Sequence, residues 1–85
     1  MNREFLVVEY SFDPPATDAL FAEHGHKLEP CLAARQVEWV HSYVSADRRR
    51  RLCVFHAADA ETVREAYRSA GVAFDRIWNG TRLQP

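Results

Sequence analysis

Phe5-Leu6-Val7-Val8-Glu9-Tyr10-Ser11-Phe12 decides how the rest of this chain is read. The run is rich in β-branched and aromatic residues, and Pro14 and Pro15 lie just beyond it, so it reads as a strand that stops at Asp13. Alternation puts Leu6, Val8, Tyr10 and Phe12 on one face and Phe5 and Val7 on the other. A strand that is apolar on both faces needs cover on both faces.

The segments that follow supply that cover. Thr17 is a candidate N-cap, with Asp18 in the first turn of a helix whose apolar stripe carries Leu20, Phe21, Leu28, Cys31 and Leu32, and His24 beside them. Gly25 and Pro30 fall inside that helix. An interior proline costs about 3 kcal/mol, which predicts a kink or an early end near Lys27–Glu29. Gln36 to Val44 reads as a second strand, with Val37, Trp39 and Tyr43 opposite Val40 and Val44. Ser45-Ala46-Asp47 and the arginines Arg48–Arg51 make a hairpin connection, read as a solvated turn, into a third strand from Arg51 to Ala57. Asp59 caps a second helix with Val63, Ala66, Tyr67 and Ala70 on one face, and Gly71 ends it. Ala73 to Trp78 is a short last strand, followed by a turn at Asn79-Gly80.

The order β-α-β-β-α-β is the split β-α-β arrangement of ferredoxin-like α+β folds, here as one domain over residues 1–85. Two helices cover one face of such a sheet. The other face is too apolar to stand in water, because Leu52 and Val54 alternate with Cys53 and Phe55 just as the first strand alternates. A second copy on the open face is the simplest cover, and Trp39 and Phe55 are expected to lose exposure on association if theirs is the covered face.

Composition narrows the function. A formal net charge of −1 offers no general attraction to nucleic acid or to an anionic membrane. No apolar run approaches the ~20 residues of a membrane span, and Met1-Asn2-Arg3-Glu4 does not open a secretion signal, so a cytoplasmic address is expected. Two cysteines, Cys31 and Cys53, without CxxC spacing read as half-buried thiols. They are too few for an iron–sulfur cluster. The soft-metal chaperones of this fold place CxxC after the first strand, where this chain has Asp13-Pro14-Pro15. The third strand lacks the aromatic motif of RNA-binding members, and no phosphate loop occurs.

Histidines and carboxylates remain. Imidazole and carboxylate together suit nickel, copper or zinc. His24 and His26 point to opposite sides of a helix, His26 and Glu29 share a side, His41 projects beside Trp39 and Tyr43, and His56 lies with Leu52 and Val54. No pair has i, i+4 spacing. His26, His41 and His56 are the candidate ligands, with Ni(II) as the expected ion. The competing reading is a pocket lined by Glu9, Trp39, His41 and Tyr43. There Glu9, the odd polar residue of its strand, would be a buried base, as in small dimeric α+β barrel isomerases, cyclases and monooxygenases. A binding protein is favoured over a self-sufficient enzyme.

Val37-Glu38-Trp39-Val40-His41-Ser42-Tyr43-Val44-Ser45-Ala46-Asp47, then Leu52-Cys53-Val54-Phe55, then Asp59-Ala60-Glu61-Thr62-Val63-Arg64-Glu65-Ala66, and Ala70-Gly71-Val72-Ala73-Phe74-Asp75-Arg76-Ile77 resemble a family of small bacterial proteins. That family is grouped as a domain of unknown function and includes a nickel-binding member. The resemblance spans about two-thirds of the chain, and Glu9 fits it. It implies a ferredoxin-like subunit, a homodimer and nickel at the dimer surface. The chain departs from the pattern at His56, where a carboxylate is commoner, and at Gly25 and Pro30.

Overall fold

The computed structural model describes residues 3–85; Met1 and Asn2, on which part of the N-terminal reading rests, lie outside the described residues. The elements are β1 (Glu4–Ser11), α1 (Asp18–Ala34), β2 (Glu38–Val44), β3 (Arg50–Ala57), α2 (Ala60–Ala70) and β4 (Arg76–Gly80). The strands pair in the order β2-β3-β1-β4, antiparallel throughout, which is the ferredoxin-like α+β fold. No helix among the described residues is long and apolar enough to cross a membrane.

The apolar alternation of β1 sorts as its sequence requires. Leu6, Val8 and Tyr10 are buried, and join Cys53 and Phe55 of β3, Leu28 and Leu32 of α1, and Val63, Ala66 and Tyr67 of α2 in one core. Full burial of side chains such as Leu6, Val8 and Phe55 is worth about 1.5–3 kcal/mol each. Phe55 is only 2% exposed in the single chain, a core residue on the helix side with almost no surface left to lose on association. That corrects the expectation for Phe55.

Both helices are capped by the residues that the sequence marks. Thr17 Oγ1 accepts the Leu20 N–H at 3.1 Å, and Asp59 Oδ1 accepts the Thr62 N–H at 2.8 Å. Gly71 takes the left-handed conformation, φ 70°, that closes α2. The expected break in α1 does not occur: the helix runs for 17 residues with Pro30 inside it. Pro30 and Gly25 are both exposed, while Leu28 and Leu32 anchor the helix on either side of the proline.

The strand ends also differ from the sequence reading. Gln36 has φ 56°, a left-handed residue that delays β2 to Glu38. Asn79 and Gly80 form no turn; they extend β4, paired with Leu6 and Phe5. Gly80 lies under the Trp78 ring, where a Cβ would come within 3.1 Å of a ring carbon.

A bulge in β2 makes the largest change. Trp39 pairs with Phe55, but His41 pairs with Val54, so the alternation reverses between them. Trp39, Ser42 and Val44 therefore share the helix side of the sheet with Phe55, Cys53 and Arg51, whereas His41 and Tyr43 lie on the open side. Trp39 and Tyr43 do not share a face, contrary to the period-two reading.

Candidate functional site

The open face is built from the residues that alternate with the core. Val7, Val54 and Trp78 stand in one cross-strand row, Glu9 and Leu52 with Tyr43 and Arg76 in the next, and Phe5 with His56 and Glu38 in a third. Tyr43 is 65% exposed and Trp78 is 43% exposed, on a face that otherwise presents half-buried Phe5, Leu52 and Val54. These apolar side chains are interspersed with the polar residues Glu9, Arg76, His56 and Glu38.

Of these, Glu9 is well partnered. Its carboxylate accepts the Trp78 indole N–H at 2.7 Å and lies 3.5 Å from an Arg50 nitrogen and 3.4 Å from Arg76 Nε. Three donors on one carboxylate describe a structural tie within the face. Of the four residues of the pocket reading, Glu9, His41 and Tyr43 lie on the open side, and Trp39 lies on the other. The Tyr43 ring meets His41 edge-on at 5.1 Å, while the hollow beside Glu9 and Tyr43 is shallow, about 290 Å³.

The histidines divide in the same way. His41 and His56 share the open face. His26 is exposed on α1, in the helical layer beyond the sheet, so within one chain the three candidate ligands do not converge. Among the described residues no group of three or more His, Cys, Asp or Glu side chains is arranged to hold an ion. What the face does offer is a pair: His56 Nδ1 lies 3.6 Å from Glu38 Oε1, and the Phe5 ring stacks on the imidazole at 4.9 Å. Glu38 is the residue that sequence reasoning missed. Without the bulge it would face Ala57; the extra residue moves it opposite His56.

The fourth histidine, His24, is on the helix side, 6.5 Å from the Phe12 ring. Burial, with the nearby Arg51 guanidinium, holds its imidazole below the usual histidine range. The arginine run is more than a solvated turn. Arg48 binds the Ala16 carbonyl and Asp18, and Arg49 binds Asp13, so two arginines fasten the hairpin to the loop after β1.

An antiparallel α+β domain with apolar residues on its open sheet face and a histidine–carboxylate pair at its edge is a protein of the ferredoxin-like class. The chain belongs to the SCO4226-like family, described as nickel responsive protein SCO4226-like, whose sequence profile matches residues 6–79. Among solved structures it is similar to SCO4226 from Streptomyces coelicolor A3(2), with a TM-score of 0.81 at 12% identity, over 94% of this chain and 99% of that one. At that identity the similarity concerns the fold. No curated protein matches the sequence.

Proposed function

We propose that two copies of this chain pair through the open sheet face and together hold a divalent transition ion, nickel first, on histidine and carboxylate groups. The reading is supported chiefly by the His56–Glu38 pair, two donors of suitable chemistry 3.6 Å apart on a face that also presents Tyr43 and Trp78 to water. His41, on the same face, is the third candidate. One chain offers a pair and a stable site needs three or four ligands, so the second copy completes the set. The description of the family as nickel responsive favours nickel among the ions that this chemistry accepts. A neutral imidazole ligand binds best above its ordinary pKa of ~6.5, so affinity falls between about pH 7.5 and 5.5.

Calorimetry of untagged protein with Ni(II) tests this. The expected result is binding that weakens about tenfold or more on His56→Ala or Glu38→Ala, corresponding to loss of one ligand. His24→Ala and His26→Ala, both on the helix side, are expected to leave affinity unchanged. Absence of binding at about 100 μM, or equal binding by all four variants, would overturn the reading.

A further inference from the structure

On the opposite side of the sheet the structure leaves a second feature that plays no part in the metal reading. Between α1 and the β2–β3 side of the sheet lies a cleft of about 620 Å³. Phe21, Leu28 and Leu32 of α1 face Trp39, Cys53 and Phe55 across it. That volume is well within the range of small-molecule sites, ~300–1,000 Å³, and the lining is predominantly apolar.

One cation lies in its wall. The Arg51 guanidinium is 4.9 Å from the Phe21 ring centroid and 5.5 Å from that of Tyr10. Its Nε is buried and has no hydrogen-bond partner. The other three arginines of the run are all paired, with Asp18, Asp13 and Glu9, but Arg51 has no carboxylate within ion-pair distance among the described residues. Glu29, also on the cleft wall, is exposed and makes no ion pair with it. Two aromatic faces compensate such a cation only partly and leave its Nε without a hydrogen-bond partner. A carboxylate matches the guanidinium fork with two parallel hydrogen bonds.

We propose that this cleft binds a small monocarboxylic acid with an apolar body, its carboxylate on Arg51 and its body between α1 and Trp39. A single charge against an apolar wall selects a monoanion over polyanionic phosphates. Trp39, 58% exposed on the helix side of the sheet, forms the outer lip, where its indole N–H is already taken by Ser42 Oγ at 2.9 Å. Its ring is thus held by the fold and stays available for apolar contact.

Decanoate is a suitable probe, followed by calorimetry and Trp39 fluorescence, with circular dichroism of each variant to verify folding. The expected result is one decanoate per chain, with Arg51→Gln weakening affinity about tenfold or more and Arg51→Lys weakening it less. The neutral 1-decanol is expected to bind about tenfold or more weakly than decanoate. Gly25→Leu provides an independent arm: Gly25 lines the cleft, a Cβ there meets nothing within 4 Å, and leucine is a better helix former. That variant is expected to stay folded and bind decanoate about tenfold or more weakly as its side chain fills the space. Binding that persists in a chelator separates this site from the metal reading. No decanoate binding at about 1 mM, equal affinity in folded Arg51→Gln, or equal affinity for decanol would overturn the proposal.

Discussion

The indole N–H of Trp78 donates to Oε2 of Glu9 at 2.7 Å, joining β4 to β1 within the open face. Arg50 and Arg76 approach the same carboxylate, but both arginine side chains are about 70% exposed, 72% and 71%, so solvent screens their attraction. Glu9→Gln keeps an acceptor for Trp78 and loses only screened charge. The expected loss is about 1 kcal/mol or less in urea unfolding, with Trp78 emission unchanged. Glu9→Leu removes the acceptor, and a shift in Trp78 emission is expected for that variant alone.

The hydroxyls of Tyr10 and Tyr67 hydrogen-bond to each other in the core. Burial raises both phenols well above the usual tyrosine range, so the pair stays neutral. Replacing either by Phe leaves the other hydroxyl buried without its partner, a loss of about 1–3 kcal/mol. The double change to Phe removes both polar groups, and its expected cost is less than the sum of the single changes. A double-mutant cycle by chemical denaturation measures this; additive losses would mean that the hydroxyls do not depend on one another.

Val63 is fully buried on α2, where it packs into the core. Val63→Asp places a carboxylate there with no partner. The cost of several kcal/mol is comparable with the whole stability of a domain this small, so an unfolded circular dichroism spectrum at 25 °C is expected.

Asp59 caps α2 by accepting from both the N–H and the hydroxyl of Thr62, and the Thr62 hydroxyl hydrogen bond, aided by the backbone one, holds its carboxyl below the usual range. A lowered native value contributes stability above the ordinary aspartate pKa of ~3.9, and that contribution is lost as pH falls through the native value. Asp59→Ala is therefore expected to melt earlier than the parent at neutral pH and to converge with it in strong acid. A gap that persists at about pH 2 would show that the cap acts without its charge.

Much of this architecture was legible from local patterns. The alternation of Phe5–Phe12, the cap at Asp59, the stripe Val63-Ala66-Tyr67 and the glycine at 71 each fix a local conformation and agree with one another. The bulge between Trp39 and His41 was not legible, because one extra residue in an apolar strand leaves no mark in a period-two pattern. It parts Trp39 from the face of His41 and Tyr43 and brings Glu38 opposite His56. Pro30 misled for a different reason: propensity penalises it in any helix, but here it sits on the solvent side of α1, between the anchors Leu28 and Leu32. Arg51 looks like part of a charged turn, since sequence alone does not tell which of four consecutive arginines turns inward.

The open face is the foundation of the proposed function, and sedimentation equilibrium tests it most directly. The chain has a mass of 9.8 kDa, and the account predicts particles of twice that mass at about 10 μM. Val54 lies at the centre of the face, between Val7 and His41, and is half-buried in the single chain. Val54→Arg is predicted to sediment as a single chain with an unchanged circular dichroism spectrum, because its guanidinium reaches water only when no second sheet covers it. A parent that sediments as one chain even at about 100 μM, or a Val54→Arg variant that stays paired, would contradict the account.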